Sequence, residues 1–434
     1  MDSPILNEGA KAETNKIHDF RIKLLQPGLI DQVKDYVLWQ AAMRDSKSPV
    51  DFWSTIPYRG PVSINLDLTT ACNYSCPHCV DKDWLNKGQP FSSERLTASL
   101  ENMVENGLRS VVLIGGGEPT LARNFGAVVK LLKEKNVSLG IVTNGSGMEK
   151  IREVGQYFNP ETRDYVRLSL DSATDETFQR MHRLKIKKTL SEIHQDVYRF
   201  KQEFPQVPVG YSFIVTWHGA HINNEDIIPN SHEMVEAARL AKEHAFDYIS
   251  FKPFLDRDPV HHAEKPGIDL NTSQYVEVME QVKGNILLSR KLYQDCSFRV
   301  VEGNNLDVLS SDLLNGTAKA QDYMRQPQQC HMTYFRNVLS PLGVSICPVY
   351  RDPRNFGSKL GNRDFYHPDN TSQSPSSVAR NIVTFDASTN CSQVVCAYNP
   401  ANKMLEKLIE DVRREGPAVL DRLQPSEERG DYFL

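Results

Sequence analysis

Nowhere in the 434 residues does an apolar stretch approach the ~20 residues needed to cross a bilayer, so no spanning helix is expected. The opening segment, MDSPILNEGAKAETNK, lacks the basic-then-apolar layout of a signal peptide, and the chain reads as cytoplasmic. No lysine or arginine run stands out. With Lys+Arg 50 against Asp+Glu 55 and a formal charge of −5, nothing points to nucleic acid, and neither nucleic acid nor membrane is an expected partner. Internal repeats and low-complexity tracts are also missing. Cysteine is sparse, at 72, 76, 79, 296, 330, 347, 391 and 396. In a compartment that keeps thiols reduced, clustered cysteines are metal ligands or catalytic thiols rather than disulfides.

The length is too great for one ordinary core and suggests two domains, or one barrel with an appended module. From Pro61 onward, short β-branched runs alternate with amphipathic stretches in six βα units. The predicted strands cover residues 62–68, 110–115, 137–143, 165–171, 209–215 and 247–252. This predicts an α/β fold, a partial (β/α)6 TIM-type barrel over residues 61–256; a doubly wound open sheet has the same local grammar. Cys72, the GGGEP run from Gly115 to Pro119, Asn144, Asp171 and Lys252 all fall at or just past strand ends, where parallel α/β folds place their active sites. Residues 1–60 are expected to form an N-terminal helical cap and linker. Residues 257–434 form a C-terminal module with a helix over 272–293, four cysteines, and a helix opened by Asn399 and Pro400.

The chemistry starts at CNYSCPHC, just past strand one. Cys72, Cys76 and Cys79 stand in a C-x3-C-x2-C spacing, which leaves one ligand missing. Iron–sulfur cubanes are normally held by four thiolates, so three clustered ones either find a fourth elsewhere or leave one iron open to a small molecule. Zinc is the competing reading, although structural zinc prefers paired C-x2-4-C units.

CNYSCPHC after strand one, with GGGEP after strand two, resembles the radical S-adenosylmethionine (radical SAM) enzymes. The resemblance implies a SAM-binding [4Fe-4S] cluster on Cys72, Cys76 and Cys79, with S-adenosyl-L-methionine on the fourth iron and a 5′-deoxyadenosyl radical as the product of its reductive cleavage. It implies that Gly116, Gly117 and Glu118 form the family's GGE motif at the SAM amino group. Asn144 and Ser169 then lie near the SAM ribose and carboxylate, and His78 near adenine. An Asn-Gly turn with Gly145 is the plainer reading of Asn144, and a helix cap that of Asp171.

Cys330, Cys347, Cys391 and Cys396, spaced x16, x43 and x4, resemble the twitch module, a truncated SPASM extension carrying one auxiliary [4Fe-4S] cluster. Four thiolates would close that cluster, and structural zinc stays open as the alternative. By this resemblance the expected reaction is oxidation of a carbohydrate, aminocyclitol or related small-molecule substrate, with a peptide also possible. An external electron donor such as flavodoxin or ferredoxin would supply the reducing electron. Cys296 is unpaired: a buried small hydrophobe, the catalytic hydrogen donor of a redox-neutral epimerase, or a ligand in place of Cys391 or Cys396. His218, His221, His261 and His262 follow strands five and six and are candidate bases, or loop histidines. Lys252 and Arg257 are candidates for an anionic substrate group.

Overall fold

The computed structural model describes residues 19–222, 225–257, 263–270, 272–315, 324–370 and 374–434. Its strands are β1 Ser63–Leu66, β2 Ser110–Leu113, β3 Ser138–Thr143, β4 Tyr165–Ser169, β5 Val209–Val215, β6 His221–Ile222, β7 Glu225–Asp226, β8 Tyr248–Pro253, β9 Leu255–Arg257, β10 Glu264–Pro266, β11 Arg299–Glu302, β12 Arg336–Ser340, β13 Gly343–Ser345 and β14 Lys359–Gly361. All six predicted strands are present, within a few residues of their expected ends.

A ten-stranded sheet runs in the order β11-β8-β5-β4-β3-β2-β1-β12-β13-β14. Every pairing from β11 to β12 is parallel; β13 and β14 turn back antiparallel. The two end strands do not pair, so the sheet is an open, partial barrel. Both flanks come from the last third of the chain. β11 lies beside β8, and β12 lies beside β1 with Ser63 opposite Arg336.

The helices begin where side chains can satisfy their free amides. Thr189 and Glu192 form a reciprocal capping box at Leu190–Glu203, and Thr272 accepts from the Tyr275 amide at Ser273–Tyr293. Asn399–Glu415 starts with proline in its first turn and buries Leu405, Leu408, Ile409 and Val412 along one face. Each such burial contributes about 1.5–3 kcal/mol. Outward strand residues such as Ile64, Leu66, Val166, Leu168, Ile249 and Phe251 share one apolar core with the helices.

Candidate active site

β1 ends at Leu66, and the cysteine loop follows at the carboxyl edge of the sheet. Backbone pairings hold the loop in place. The Ser75 amide donates to the His182 carbonyl (3.0 Å) and the Cys79 amide to the Cys76 carbonyl (3.2 Å), while the Cys72 amide donates to Asn86 Oδ1 (3.0 Å). All three thiols are half-buried. Burial pushes the Cys79 thiol up to about 12 and lifts Cys72 and Cys76 as well, Cys76 well above its ordinary value. Such thiols ionise when a cation compensates them, which is the condition a metal cluster supplies.

Gly115, Gly116 and Gly117 lie against this loop. A Cβ at Gly117 would sit 2.2 Å from the Ala71 carbonyl oxygen, so only glycine lets the two backbones approach. Gly115, at φ +76°, lies under the Arg351 guanidinium in the same way. Glu118 is buried, and its carboxylate accepts from Thr120 N (3.1 Å), Thr120 Oγ1 (2.7 Å), Thr143 Oγ1 (2.7 Å) and Asn144 N (2.7 Å). Burial raises its pKa against these donors. Glu118 thus ties the end of β2 to the end of β3. Asn144 donates to Asn73 Oδ1 (2.9 Å), which connects β3 to the cysteine loop, and Gly145 follows at φ +83°.

His78 is buried with Nε2 3.3 Å from Asp171 Oδ2, and its Nδ1 has no hydrogen-bond partner among the described residues. Asp171 does not cap the next helix. It stands at φ 52° and accepts from the Ile214 amide (2.7 Å), and Thr174 caps Asp175–His182 instead. His182 Nδ1 lies 3.2 Å from Cys76 Sγ, and its Nε2 donates to the Leu170 carbonyl (2.9 Å). Burial lowers His182 to about 4. A neutral ring with Nδ1 as acceptor therefore faces the protonated thiol. Among the described residues, Cys76, His78 and His182 also form one group of potential ligand atoms within 4.8 Å of one another.

The second cysteine set converges. Cys330, Cys347, Cys391 and Cys396 line one cavity together with Met332, Ile346, Val394 and Tyr398. Burial raises all four thiols, Cys347 to about 12, and the charges of the other three add to the rise at Cys391. Four thiols in an apolar cavity make a donor set complete for a cubane and equally for tetrahedral zinc.

Other candidates fall elsewhere. Cys296 is exposed and precedes β11, which puts it at the amino-terminal end of the parallel strands, opposite the cysteine loop. The structure does not bring it to the site. His218 and His221 are exposed, and His261 and His262 lie outside the described residues. Arg257 donates to the Val80 carbonyl (2.7 Å), and so braces the cysteine loop. Ser169 and Lys252 face the interior of the sheet, half-buried.

Sequence reasoning missed Asp67, Asp81, Arg167 and Arg351. Arg167 carried a signal, because Tyr165, Arg167, Ser169 and Asp171 alternate as one polar face of a strand. Asp67, Asp81 and Arg351 carried none, since their association joins segments far apart in sequence.

A parallel α/β sheet with three thiols and a glycine-acid turn at its carboxyl edge is the framework of an iron–sulfur enzyme. Residues 66–248 match the radical SAM superfamily, and the chain carries a radical SAM domain, of a family that uses a [4Fe-4S] cluster and SAM. An S-adenosylmethionine-dependent nucleotide dehydratase of Selenomonas ruminantium is 32% identical over 85 residues, 20% of this chain and 30% of that protein. A probable GTP 3′,8-cyclase of Pyrococcus horikoshii is 30% identical over 118 residues, 26% of this chain and 36% of its own length. The matched segments thus span about a third of these relatives. Among solved structures, SuiB of Streptococcus suis aligns over 82% of both chains at 13% identity, with a TM-score of 0.48.

Proposed function

We propose that the chain oxidises a carbohydrate, aminocyclitol or related small metabolite, removing hydrogen from a carbon that bears a hydroxyl group. A [4Fe-4S] cluster carrying SAM would supply a 5′-deoxyadenosyl radical able to take the C–H hydrogen atom, the hydroxyl proton would leave to a base or water, and an auxiliary [4Fe-4S] cluster would supply an acceptor for the electron that remains. Cys72, Cys76 and Cys79 would hold the first, and Cys330, Cys347, Cys391 and Cys396 the second. The observation that carries the reading is the convergence of those four thiols on one cavity, because a fully ligated cluster suits outer-sphere electron transfer.

The protein's own groups have distinct tasks. His182 packs beside Cys76, held there by its bond to the Leu170 carbonyl, and Glu118 fixes the turn after β2 against Asn144. Three of the donors to the Glu118 carboxylate fall on Oε1 and one on Oε2, so the SAM amino group would bind the backbone carbonyls of Gly115 to Gly117 or the remaining site on Oε2. An external flavodoxin or ferredoxin would deliver the electron. A nucleotide substrate is the second reading, favoured by the names of the two relatives above.

The test is product mass with stoichiometry in anaerobically reconstituted protein. Loss of two hydrogens per 5′-deoxyadenosine, in protein holding about eight irons from two cubanes, is expected. An unchanged mass with one solvent deuteron incorporated overturns oxidation, and colourless protein containing zinc overturns the enzyme reading altogether.

A further inference from the structure

The face of the sheet turned away from the helices is not sealed. On β4, Val166 and Leu168 are inaccessible, whereas Tyr165, Arg167 and Ser169 are half-buried. The same holds for Tyr248 and Lys252 on β8 and for Ile214 on β5. Residues two apart on a strand share a face, so these six side chains line one solvent-reachable hollow inside the partial barrel.

Its floor is aromatic. The Tyr165 ring occupies the space a Cβ at Gly140 would need (2.5 Å), and the Tyr248 ring does so at Gly210 (2.1 Å). Arg167 pairs with Gly210, which in turn pairs with Tyr248, so the arginine stands at floor level between the two rings. Lys252 lies across from Ile214, four residues nearer the mouth than Tyr248.

Among the described residues, neither side chain has a counter-ion. Arg167 Nε is buried with no hydrogen-bond partner, and neither Arg167 nor Lys252 has a hydrogen bond or ion pair among the described residues. Burial first, then the charge of Arg167, pushes the Lys252 ammonium well below the usual lysine range. The acid that partly offsets this, Asp171, is committed elsewhere, to the Ile214 amide (2.7 Å) and His78 (3.3 Å). Unpaired cations in a confined site are costly, and such a cost persists where a ligand removes it.

We infer that Arg167 and Lys252 bind the phosphate group of the substrate, held above the tyrosine floor and below the cysteine loop. A phosphate dianion between the two side chains compensates Arg167 and restores the proton that burial disfavours on Lys252, so that the guanidinium fork and the ammonium both donate to its oxygens. A carboxylate would leave one cation uncompensated. This narrows the substrate of the proposed oxidation to a phosphorylated metabolite and rests on the reading of the barrel mouth as the SAM site.

The test is anion binding by the reconstituted full-length protein, read as a rise in melting temperature at constant ionic strength, with inorganic phosphate and acetate as probes. Wild type should show a saturable rise with phosphate that weakens at least tenfold in Arg167→Gln and in Lys252→Met. Without phosphate, Lys252→Met should melt no lower than wild type, since it removes an amine that burial holds against charging. Four results overturn the proposal: no saturable rise with phosphate, a rise with acetate alone, a phosphate rise that survives both substitutions, or a tenfold loss of SAM affinity in either variant. The last would assign the cations to the SAM carboxylate. Formation of 5′-deoxyadenosine, measured separately, tests the radical reading, so either can fail without the other.

Discussion

Arg351 lies 2.9 Å from Asp81, and through that pair the two cysteine sites are mechanically joined. Arg351 follows Cys347 by four residues, Asp81 follows Cys79 by two, and both side chains are about nine-tenths buried. The same guanidinium reaches Asp67 at the end of β1 (2.7 Å), and Asp81 also accepts from the Gly116 amide (3.2 Å). Burial raises Asp67 to about 7 despite the arginine, and the nearby Asp81 adds to the rise. One arginine therefore balances two buried acids across the junction.

Removing it leaves Asp67 uncompensated and Asp81 with only Arg257, 4.0 Å away. Arg351→Met should destabilise the protein by about 3–5 kcal/mol, the range for breaking a buried ion pair on one side. Arg351→Lys should fall between, because it keeps the charge without the fork. Thermal unfolding and iron per chain check this, with iron lost from the Cys72, Cys76 and Cys79 site in the Met variant.

Gly117→Ala should act locally. The added methyl meets the Ala71 carbonyl and must displace the cysteine loop. The expected outcome is a loss of SAM binding of tenfold or more, with about four irons kept at the second site. Gly284→Ala is the control: nothing lies within 4 Å of its Cβ position, and alanine in the helix Ser273–Tyr293 should stabilise by about 0.5–1 kcal/mol.

The cysteines separate by place. Cys396→Ala and Cys391→Ala should each remove about four irons per chain and abolish substrate oxidation, while 5′-deoxyadenosine formation continues. Cys296→Ala should change neither iron content nor turnover, since that thiol stands at the opposite end of the strands. Loss of activity in Cys296→Ala would contradict this placement.

Acid sensitivity should trace in part to His194. Burial, with His244 beside it, lowers this imidazole to about 3 from an ordinary 6.5, and its Nε2 has no hydrogen-bond partner among the described residues. A group whose folded pKa is depressed contributes its full stability above pH 6.5, and that contribution is lost as pH falls from 6.5 towards 3. At pH 5 the loss is roughly 2 kcal/mol. His194→Phe keeps the ring contacts with Tyr211 and Phe246 and removes the titration. Its urea midpoint should drop less than that of wild type between pH 7 and pH 5.

The strands and the first site were legible in the sequence because their signals are local. Period-two β-branched runs specify strands wherever they occur, and three thiols within eight residues must share a loop whatever surrounds them. The register also determined that Arg167 shares a face with Ser169. The rest required the chain to fold back on itself. That β12 pairs with β1, that four cysteines spread from 330 to 396 meet in one cavity, that Cys296 is remote, and that Arg351 balances Asp67 and Asp81 follow from contacts between distant segments. Such contacts form where burial and charge compensation outweigh the entropy of closing long loops, a balance set by the assembled tertiary structure rather than by any local stretch.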